Sequence, residues 1–151
     1  MKLIQSTLLL AGSILLLAGC ESMGDRFSEV PPKQQVFSGE PPAVSVAAVQ
    51  AFKRLDFQMT HSKGVDLEAV SRIHTSVAFA DSRQITAKVH LSGVGPGKTE
   101  VELSLTEQFQ SEQVGGTSQQ ALRENNFFQL YFATLQQVLD ENAAGVPAKK
   151  N

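Results

Sequence analysis

Residues 85–105 read ITAKVHLSGVGPGKTEVELSL, and this stretch contains two alternating segments on either side of a glycine-rich turn. Strict alternation of apolar and polar residues is typical of a β-strand that is covered on one face only. Glycine supplies the positive φ that a turn over residues 93–97 requires. The stretch therefore predicts an antiparallel hairpin with Leu91 opposite Thr99. Its apolar face comprises Ile85, Ala87, Val89, Leu91, Val101, Leu103, Leu105 and Phe109.

A further alternating segment lies just before this hairpin. Because a one-residue slip would move every side chain to the other face, odd-numbered residues have to oppose odd-numbered residues. That parity excludes a two-residue loop and predicts the three-residue loop Asp81-Ser82-Arg83. Phe79 is then expected opposite Ile85, and Val77 opposite Ala87. The residues that share a face in this segment are Ile73, Thr75, Val77 and Phe79.

Two helices are expected to flank the strands. The first begins at Pro41-Pro42, since proline suits the first helical position, and gives way to a short strand over residues 55–59. Ser62-Lys63-Gly64 and the following acidic Asp66 and Glu68 are expected to form a loop. The second follows Gly115-Gly116 and is capped by Thr117 or Ser118. Both carry apolar residues at three- and four-residue spacing. These residues are Val44, Ala48, Ala51, Phe52 and Leu55 in the first helix, and Phe128, Tyr131, Phe132, Leu135, Val138 and Leu139 in the second.

The predicted order of elements is α-β-β-β-β-α. It favours an α+β fold, a two-layer sandwich in which an N-terminal and a C-terminal helix cover one face of a four-stranded antiparallel meander. The single domain is expected to span residues 42–142, which is long enough to bury one core without disulfides. Proline-rich residues 20–41 read as a flexible tether, and residues 143–151 as a disordered tail.

Composition narrows the classes of protein. The 151-residue chain has a formal charge of −2 and a pI near 5.9, so it lacks the basic patch that a nucleic-acid partner requires. Its single cysteine excludes a disulfide framework and multi-cysteine metal sites. A hydrophobic fraction of 42% and a charged fraction of 19% argue against a disordered polyelectrolyte. What remains is a small, mildly acidic globular domain.

The N-terminus has the anatomy of a secretory signal peptide over residues 1–19. Lys2 precedes an apolar stretch, Leu3–Leu17, which is shorter than the ~20 residues that a membrane-spanning helix needs. The stretch ends in Leu17-Ala18-Gly19-Cys20, an order that resembles the bacterial lipobox. The resemblance implies cleavage between Gly19 and Cys20, a diacylglyceryl thioether on the Cys20 thiol and an acylated amine. Glu21, where a retained inner-membrane lipoprotein has aspartate, favours the outer membrane.

This resemblance predicts a lipoprotein of the cell envelope that faces the periplasm. Palmitate-type chains on Cys20 would hold it on the membrane, since each buried CH₂ contributes about 0.8 kcal/mol and more than one chain gives stable anchoring. Loss of Lys2 with the signal peptide changes the charge to −3, so lipid rather than charge attaches the chain.

The mature sequence predicts a binding or assembly accessory and no enzyme. It contains no Gly-x-Ser-x-Gly elbow. Residues 92–99, SGVGPGKT, are similar to a phosphate-binding loop, but Ser92 stands where glycine is needed and a strand follows instead of a helix. We therefore expect no nucleotide, no cofactor and no catalytic residues. An envelope protein is the expected partner, and Phe127 and Leu130, three positions apart on the second helix, are candidates for contacting it.

The alternative hypothesis is a small ligand- or metal-binding module on the open face of the sheet. With the predicted registers, His74 lies opposite His90, and His90 opposite Glu100. Two histidines and a carboxylate form a known zinc set. The competing interpretation is an ordinary solvated face with His90–Glu100 and Lys88–Glu102 pairs.

Beyond the lipobox, the mature chain resembles small bacterial lipoproteins of uncharacterised function. The resemblance rests on Ala47-Ala48-Val49-Gln50-Ala51, on Leu55 and on Lys98-Thr99-Glu100-Val101-Glu102-Leu103. These are helix and strand patterns, so the resemblance implies a fold and no catalytic residues.

Overall fold

A computed structural model describes residues 30–76, 81–111 and 116–145. Residues 1–29, which include the predicted signal peptide, Gly19 and Cys20, lie outside the described residues, as do Val77, Phe79 and most of the predicted tail. In chain order the elements are β1 (Lys33–Ser38), α1 (Pro41–Arg54), β2 (Gln58–Lys63), β3 (Asp66–Val70), β4 (His74–Ser76), β5 (Asp81–Gly95), β6 (Lys98–Ser111), β7 (Gly116–Ala121) and α2 (Asn126–Ala143).

The seven strands of the described ranges form one antiparallel sheet. Its main path is β1-β6-β5-β3-β2, while β4 pairs with β5 and β7 pairs with β6. With 15 and 14 residues, β5 and β6 are long enough for each to have two neighbours along its outer edge. Strands β3 and β4 share the edge of β5, and β1 and β7 share the edge of β6.

The predicted four-stranded meander is therefore wrong, because the sheet has three further strands, β1, β3 and β7. The loop predicted from Ser62 to Glu68 is wrong, because Asp66 and Glu68 lie in β3, where they alternate with buried Leu67 and Ala69. A half-covered strand has this pattern whether its exposed positions are acidic or neutral.

The other two strands carry almost no apolar pattern. In β1 only Phe37 is buried, so the sequence shows no alternating apolar pattern that would distinguish this strand from a tether. Residues 33–38 of the expected tether nevertheless pair with β6. In β7 all six residues are exposed. Both strands form because the long β6 offers unpaired backbone groups along its edge, which hydrogen bonding satisfies.

The register of the sheet also differs from prediction. Asp81-Ser82-Arg83 is not a loop but the start of β5, where it pairs with β4. Across the second turn Leu91 opposes Val101, and Thr99 opposes Gly93. This is a shift of two residues, which leaves parity unchanged. The inward orientation predicted for the central residues is accordingly confirmed, with Ala87, Val89, Leu91, Val101, Leu103 and Leu105 all buried.

Helix α1 begins at Pro41, as predicted, and ends in a Schellman turn. The Phe57 amide donates to Phe52 O at 2.9 Å and the Asp56 amide to Lys53 O at 3.2 Å. Asp56 adopts a left-handed φ of 63°, which aspartate tolerates better than most residues. The Phe52 and Phe57 rings, 5.9 Å apart, supply the apolar contact that accompanies this turn.

Helix α2 begins later than predicted. Its N-cap is Asn125, whose Oδ1 accepts a hydrogen bond from the Phe127 amide at 2.8 Å, whereas Thr117 and Ser118 lie in β7. Both helices contribute to one core on the same face of the sheet. Within the described ranges, neither helix combines the length and the hydropathy needed to cross a bilayer.

Aromatic rings fill the core between the two helices. The Tyr131 ring lies 4.5 Å from that of Phe52, and the Phe127 ring lies 4.4 Å from that of Phe57. The Tyr131 hydroxyl is buried without a hydrogen-bond partner among the described residues, and burial raises the pKa of Tyr131 well above its ordinary value. Thr99, also fully buried, donates through Oγ1 to Gly39 O at 2.8 Å.

Candidate functional site

The face of the sheet turned away from the helices, here called the open face, carries rows of polar side chains that cross several strands. In one row Lys63, Asp66, His90, Glu102 and Gln34 lie opposite one another on β2, β3, β5, β6 and β1. Basic and acidic side chains alternate along it. Directly opposite side chains of an antiparallel sheet lie close enough to interact, so basic and acidic side chains are neighbours along the row as far as Glu102, and the neutral Gln34 ends it.

Short contacts connect this row. His90 Nδ1 lies 2.7 Å from Asp66 Oδ1, and Gln34 Nε2 donates to Glu102 Oε1 at 2.8 Å. His90 thus has a carboxylate on each neighbouring strand. Because the His90 side chain is half exposed, its ring is held in place and still reaches solvent.

A second row lies beside the first. His61, Glu68, Lys88 and Ser104 oppose one another on β2, β3, β5 and β6. Lys88 Nζ lies 3.5 Å from Glu68 Oε2, and Thr60 Oγ1 donates to Glu68 Oε1 at 3.1 Å. The ion pairs are partly exposed, and such pairs each contribute about 1 kcal/mol or less to folding.

A groove of about 720 Å³ runs between these rows and the segment that enters the fold. Its lining includes residues 30–32, members of both rows, and the apolar side chains of Leu122 and Phe128. Along β6, β1 pairs as far as Leu103 and β7 begins at Thr106. Proline has no backbone N–H and cannot extend the β1 ladder, so the chain leaves the sheet there and the groove forms at that gap.

The structure does not bring together the three predicted metal ligands. His74 opposes Arg83 at the far end of β5, His90 opposes Asp66 and Glu102, and Glu100 opposes Ser92. The two-residue shift in the β5–β6 register and the short β4 separate them. Within the described ranges, no three histidine, aspartate or glutamate side chains are arranged to hold a metal ion.

The predicted contact pair on the second helix is also divided. Phe127 is buried against Phe57 in the core, while Leu130 is 53% exposed. The two residues therefore form no common apolar patch. Glu107, of inward parity but only partly buried, lies 3.8 Å from Arg83 at the end of the sheet that no helix covers.

Sequence reasoning missed Lys63, Asp66 and Glu68 as members of the open face. A signal was present in the alternation Asp66-Leu67-Glu68-Ala69-Val70, which places two acids on the side opposite two apolar residues. The predicted loop over this segment concealed it.

Comparison with known proteins finds no family and no curated sequence that matches the chain. Among solved structures, the adenylate sensor from AMP-activated protein kinase in complex with ZMP is similar with a TM-score of 0.42 and 15% identity, over 70% of this chain and 94% of that one. A DUF4468 family protein from Bacteroides ovatus gives a TM-score of 0.35 and 12% identity, over 85% and 98% of the two chains. Neither likeness indicates a function for this chain.

Proposed function

We propose that the chain is a lipid-anchored bacterial envelope lipoprotein whose folded body is a non-enzymatic binding or assembly accessory facing the periplasm. In this proposal the open face and its groove are the surface that binds an envelope partner. The observation that carries the proposal is the position of the groove, of about 720 Å³, beside Val30.

Position along the chain supports the link between anchor and groove. Ten residue steps separate Cys20 from Val30, and ten extended residues span at most about 36 Å. A body anchored through acyl chains on Cys20 therefore keeps the groove near the surface of the membrane. The lipobox residues Leu17-Ala18-Gly19-Cys20 support the anchor itself, and Glu21 favours the outer membrane.

The chemistry of the open face supports a polypeptide partner. Carboxylates, amines and imidazoles alternate on adjacent strands, a pattern that fits a partner segment with both signs of charge. The Lys88–Glu68 ion pair and the His90–Asp66 contact contribute little to folding because they are exposed. They can exchange for intermolecular pairs at small cost to the fold.

The anchor is tested by metabolic labelling with radioactive palmitate. The natural chain should incorporate label and Cys20→Ser should not. Mass spectrometry of the mature natural protein should show an acylated N-terminal cysteine. Label that persists in Cys20→Ser, or an intact Met1, would refute the lipoprotein assignment.

The binding surface is tested by site-specific photo-crosslinking of the acylated protein in membranes. A photoreactive residue at Ser104, which lines the groove, should form a discrete adduct with an envelope protein. The same residue at Ala133, exposed on α2, should not.

Charge reversal sharpens the same experiment. Lys88→Glu should reduce the amount of adduct formed at position 104. The double variant Glu68→Lys with Lys88→Glu restores an ion pair between the two positions, so it should recover part of the stability of the fold but not the binding of the partner. Equal adducts at positions 104 and 133, or an adduct that is insensitive to Lys88→Glu, would overturn the assignment of the open face.

A further inference from the structure

Strand β7 has an outer edge that no described strand covers. Its six residues, GTSQQA, are exposed on both faces of the sheet and carry no charge. One edge pairs with β6, and no other described strand pairs with the opposite edge. Natural proteins usually protect such an edge with charge, extreme shortness or a covering element, because unpaired backbone groups recruit another strand.

The other edges of the described sheet have such protection. Strand β2 carries His61 and Lys63, and β4 comprises only three of the described residues. Strand β1 carries Lys33 and also packs against α2, since the rings of Phe37 and Phe132 lie 6.0 Å apart. The exception is β7, and this singles it out as a site of strand addition.

Three glutamines lie opposite one another on the neighbouring strands β5, β6 and β7, of which β7 forms this edge. Gln84 on β5 opposes Gln108 on β6, which opposes Gln119 on β7. An amide side chain carries both donors and acceptors, so identical amides on neighbouring strands can bond to one another, as in the ladders of stacked sheets. Gln119 ends this row beside the free edge.

We propose that two copies of this chain pair antiparallel through β7, about a twofold axis that passes at Gln119. A twofold axis perpendicular to the sheet keeps the same face upward in both copies, so opposing residues have the same parity. Gln119 then opposes Gln119, Ser118 opposes Gln120 and Thr117 opposes Ala121. The two sheets become one continuous sheet.

A second copy fits this edge for two reasons. It extends the glutamine row from three amides to six, because its own Gln119, Gln108 and Gln84 continue the row beyond the Gln119 of the first copy. It also brings no charge against an identical strand, whereas self-pairing through β2 would place like charges near each other. Since all six residues of β7 are exposed, neither described helix covers the strand.

The pairing is tested by disulfide cross-linking in membranes that contain the full chain. Gln119→Cys should give a disulfide-linked dimer on mild oxidation, because the two sulfurs lie across the twofold axis. The matched control is Gln108→Cys, which belongs to the same row but lies one strand inside the edge, and it should remain monomeric. A folded Gln119→Cys protein that stays monomeric would overturn the proposal, as would equal cross-linking at both positions.

The natural thiol at Cys20 provides an independent control. If the unaltered chain cross-links, Cys20 is a free thiol and the proposed acylation fails, while the β7 pairing is still tested by repeating both variants with Cys20→Ser. The register is tested by co-expressing Thr117→Cys with Ala121→Cys on differently tagged copies. Mixed dimers should form in preference to dimers of either variant alone, and the reverse preference would exclude the axis at Gln119.

A charge placed on the edge should abolish pairing without unfolding the chain. Gln119→Lys brings two ammonium groups together at the axis and should raise the dimer dissociation constant roughly tenfold or more. The control is Gln58→Lys on the opposite edge of the sheet, where the constant should not change. Energy transfer between labelled copies in lipid vesicles measures both, and an unchanged constant in folded Gln119→Lys would contradict the proposal.

Discussion

The two halves of the β5–β6 hairpin share the same pair of strands but differ in what covers them. In the half near the turn, called the core half (residues 87–91 and 101–105), every inward side chain is at most 2% exposed. In the other half, called the arm (residues 81–85 and 107–111), Arg83 and Glu107 lie on the same face, and both are partly exposed. The Arg83 guanidinium lies 5.2 Å from the Phe109 ring.

The difference shows that alternation alone does not make a core. Helices α1 and α2 lie over the core half, where each square ångström of buried apolar surface contributes about 25 cal/mol. The arm has the same strand geometry and gains little from burial. The register of the arm is fixed by the core half, because a one-residue slip between β5 and β6 would expose Val89 and Leu103. The arm provides the outer edges on which β4 and β7 pair.

The largest expected effect separates the two halves directly. Leu103→Ala removes a fully buried side chain from the core half and should lower the free energy of unfolding by about 2–5 kcal/mol. Ile85→Ala makes a comparable change at an inward position of the arm, where burial is only partial, and should cost about 1 kcal/mol. Urea denaturation measures both, and equal losses would remove the distinction between core half and arm.

A buried hydrogen bond gives the next effect. Thr99→Val keeps the shape but removes the donor to Gly39 O, which leaves a carbonyl unpaired, and should cost about 1–2 kcal/mol. Thr106→Val is the matched change on the open face of β6, between the core half and the arm, and should lie within about 0.5 kcal/mol of the natural chain. A larger loss at Thr106 would show that this part of the open face is packed in solution.

The unpartnered hydroxyl of the core predicts a gain in stability. Tyr131→Phe removes a buried polar atom without a partner among the described residues and should raise the free energy of unfolding by about 1 kcal/mol. A decrease of similar size would mean that the hydroxyl is hydrogen bonded in solution.

Alkaline pH provides a second measurement at the same residue. Burial raises the pKa of Tyr131 above its ordinary value of 10.0, so above pH 10 the unfolded chain loses the hydroxyl proton and the folded chain keeps it. Stability should therefore fall as pH rises above 10 in the natural chain but less so in Tyr131→Phe. Because Tyr131 is the single tyrosine in the sequence, tyrosinate absorbance reports its ionisation without interference.

The smallest effect concerns the helices that cover the core half. A hydrogen bond from Arg54 lowers the pKa of Glu141 below its ordinary value of 4.5. A lowered pKa adds stability above the pKa of the unfolded chain, and this stability disappears as pH falls through the folded value. The difference in melting temperature between the natural chain and Glu141→Gln should therefore be present at pH 7 and vanish below pH 4.5. Arg54→Gln should reproduce that profile.

Elements with a local apolar pattern were predictable. The inward faces of β5 and β6 follow from alternation, and the start of α1 follows from Pro41. The candidate site was less accessible, because it depends on which strands are neighbours. His90 was singled out from the sequence, but its partners Asp66 and Glu102 follow from a register that differs by two residues from the predicted one.

The amino-acid order by itself determined which side of each central strand faces inward, since parity is a local property that side-chain polarity reveals. The tertiary structure alone decided that residues 33–38 and 116–121 become strands, because apart from Phe37 their side chains are exposed and the backbone of β6 makes pairing favourable. It also decided that one hairpin is half core and half arm, because the length of a sheet and the reach of its covering helices are set by different segments of the chain.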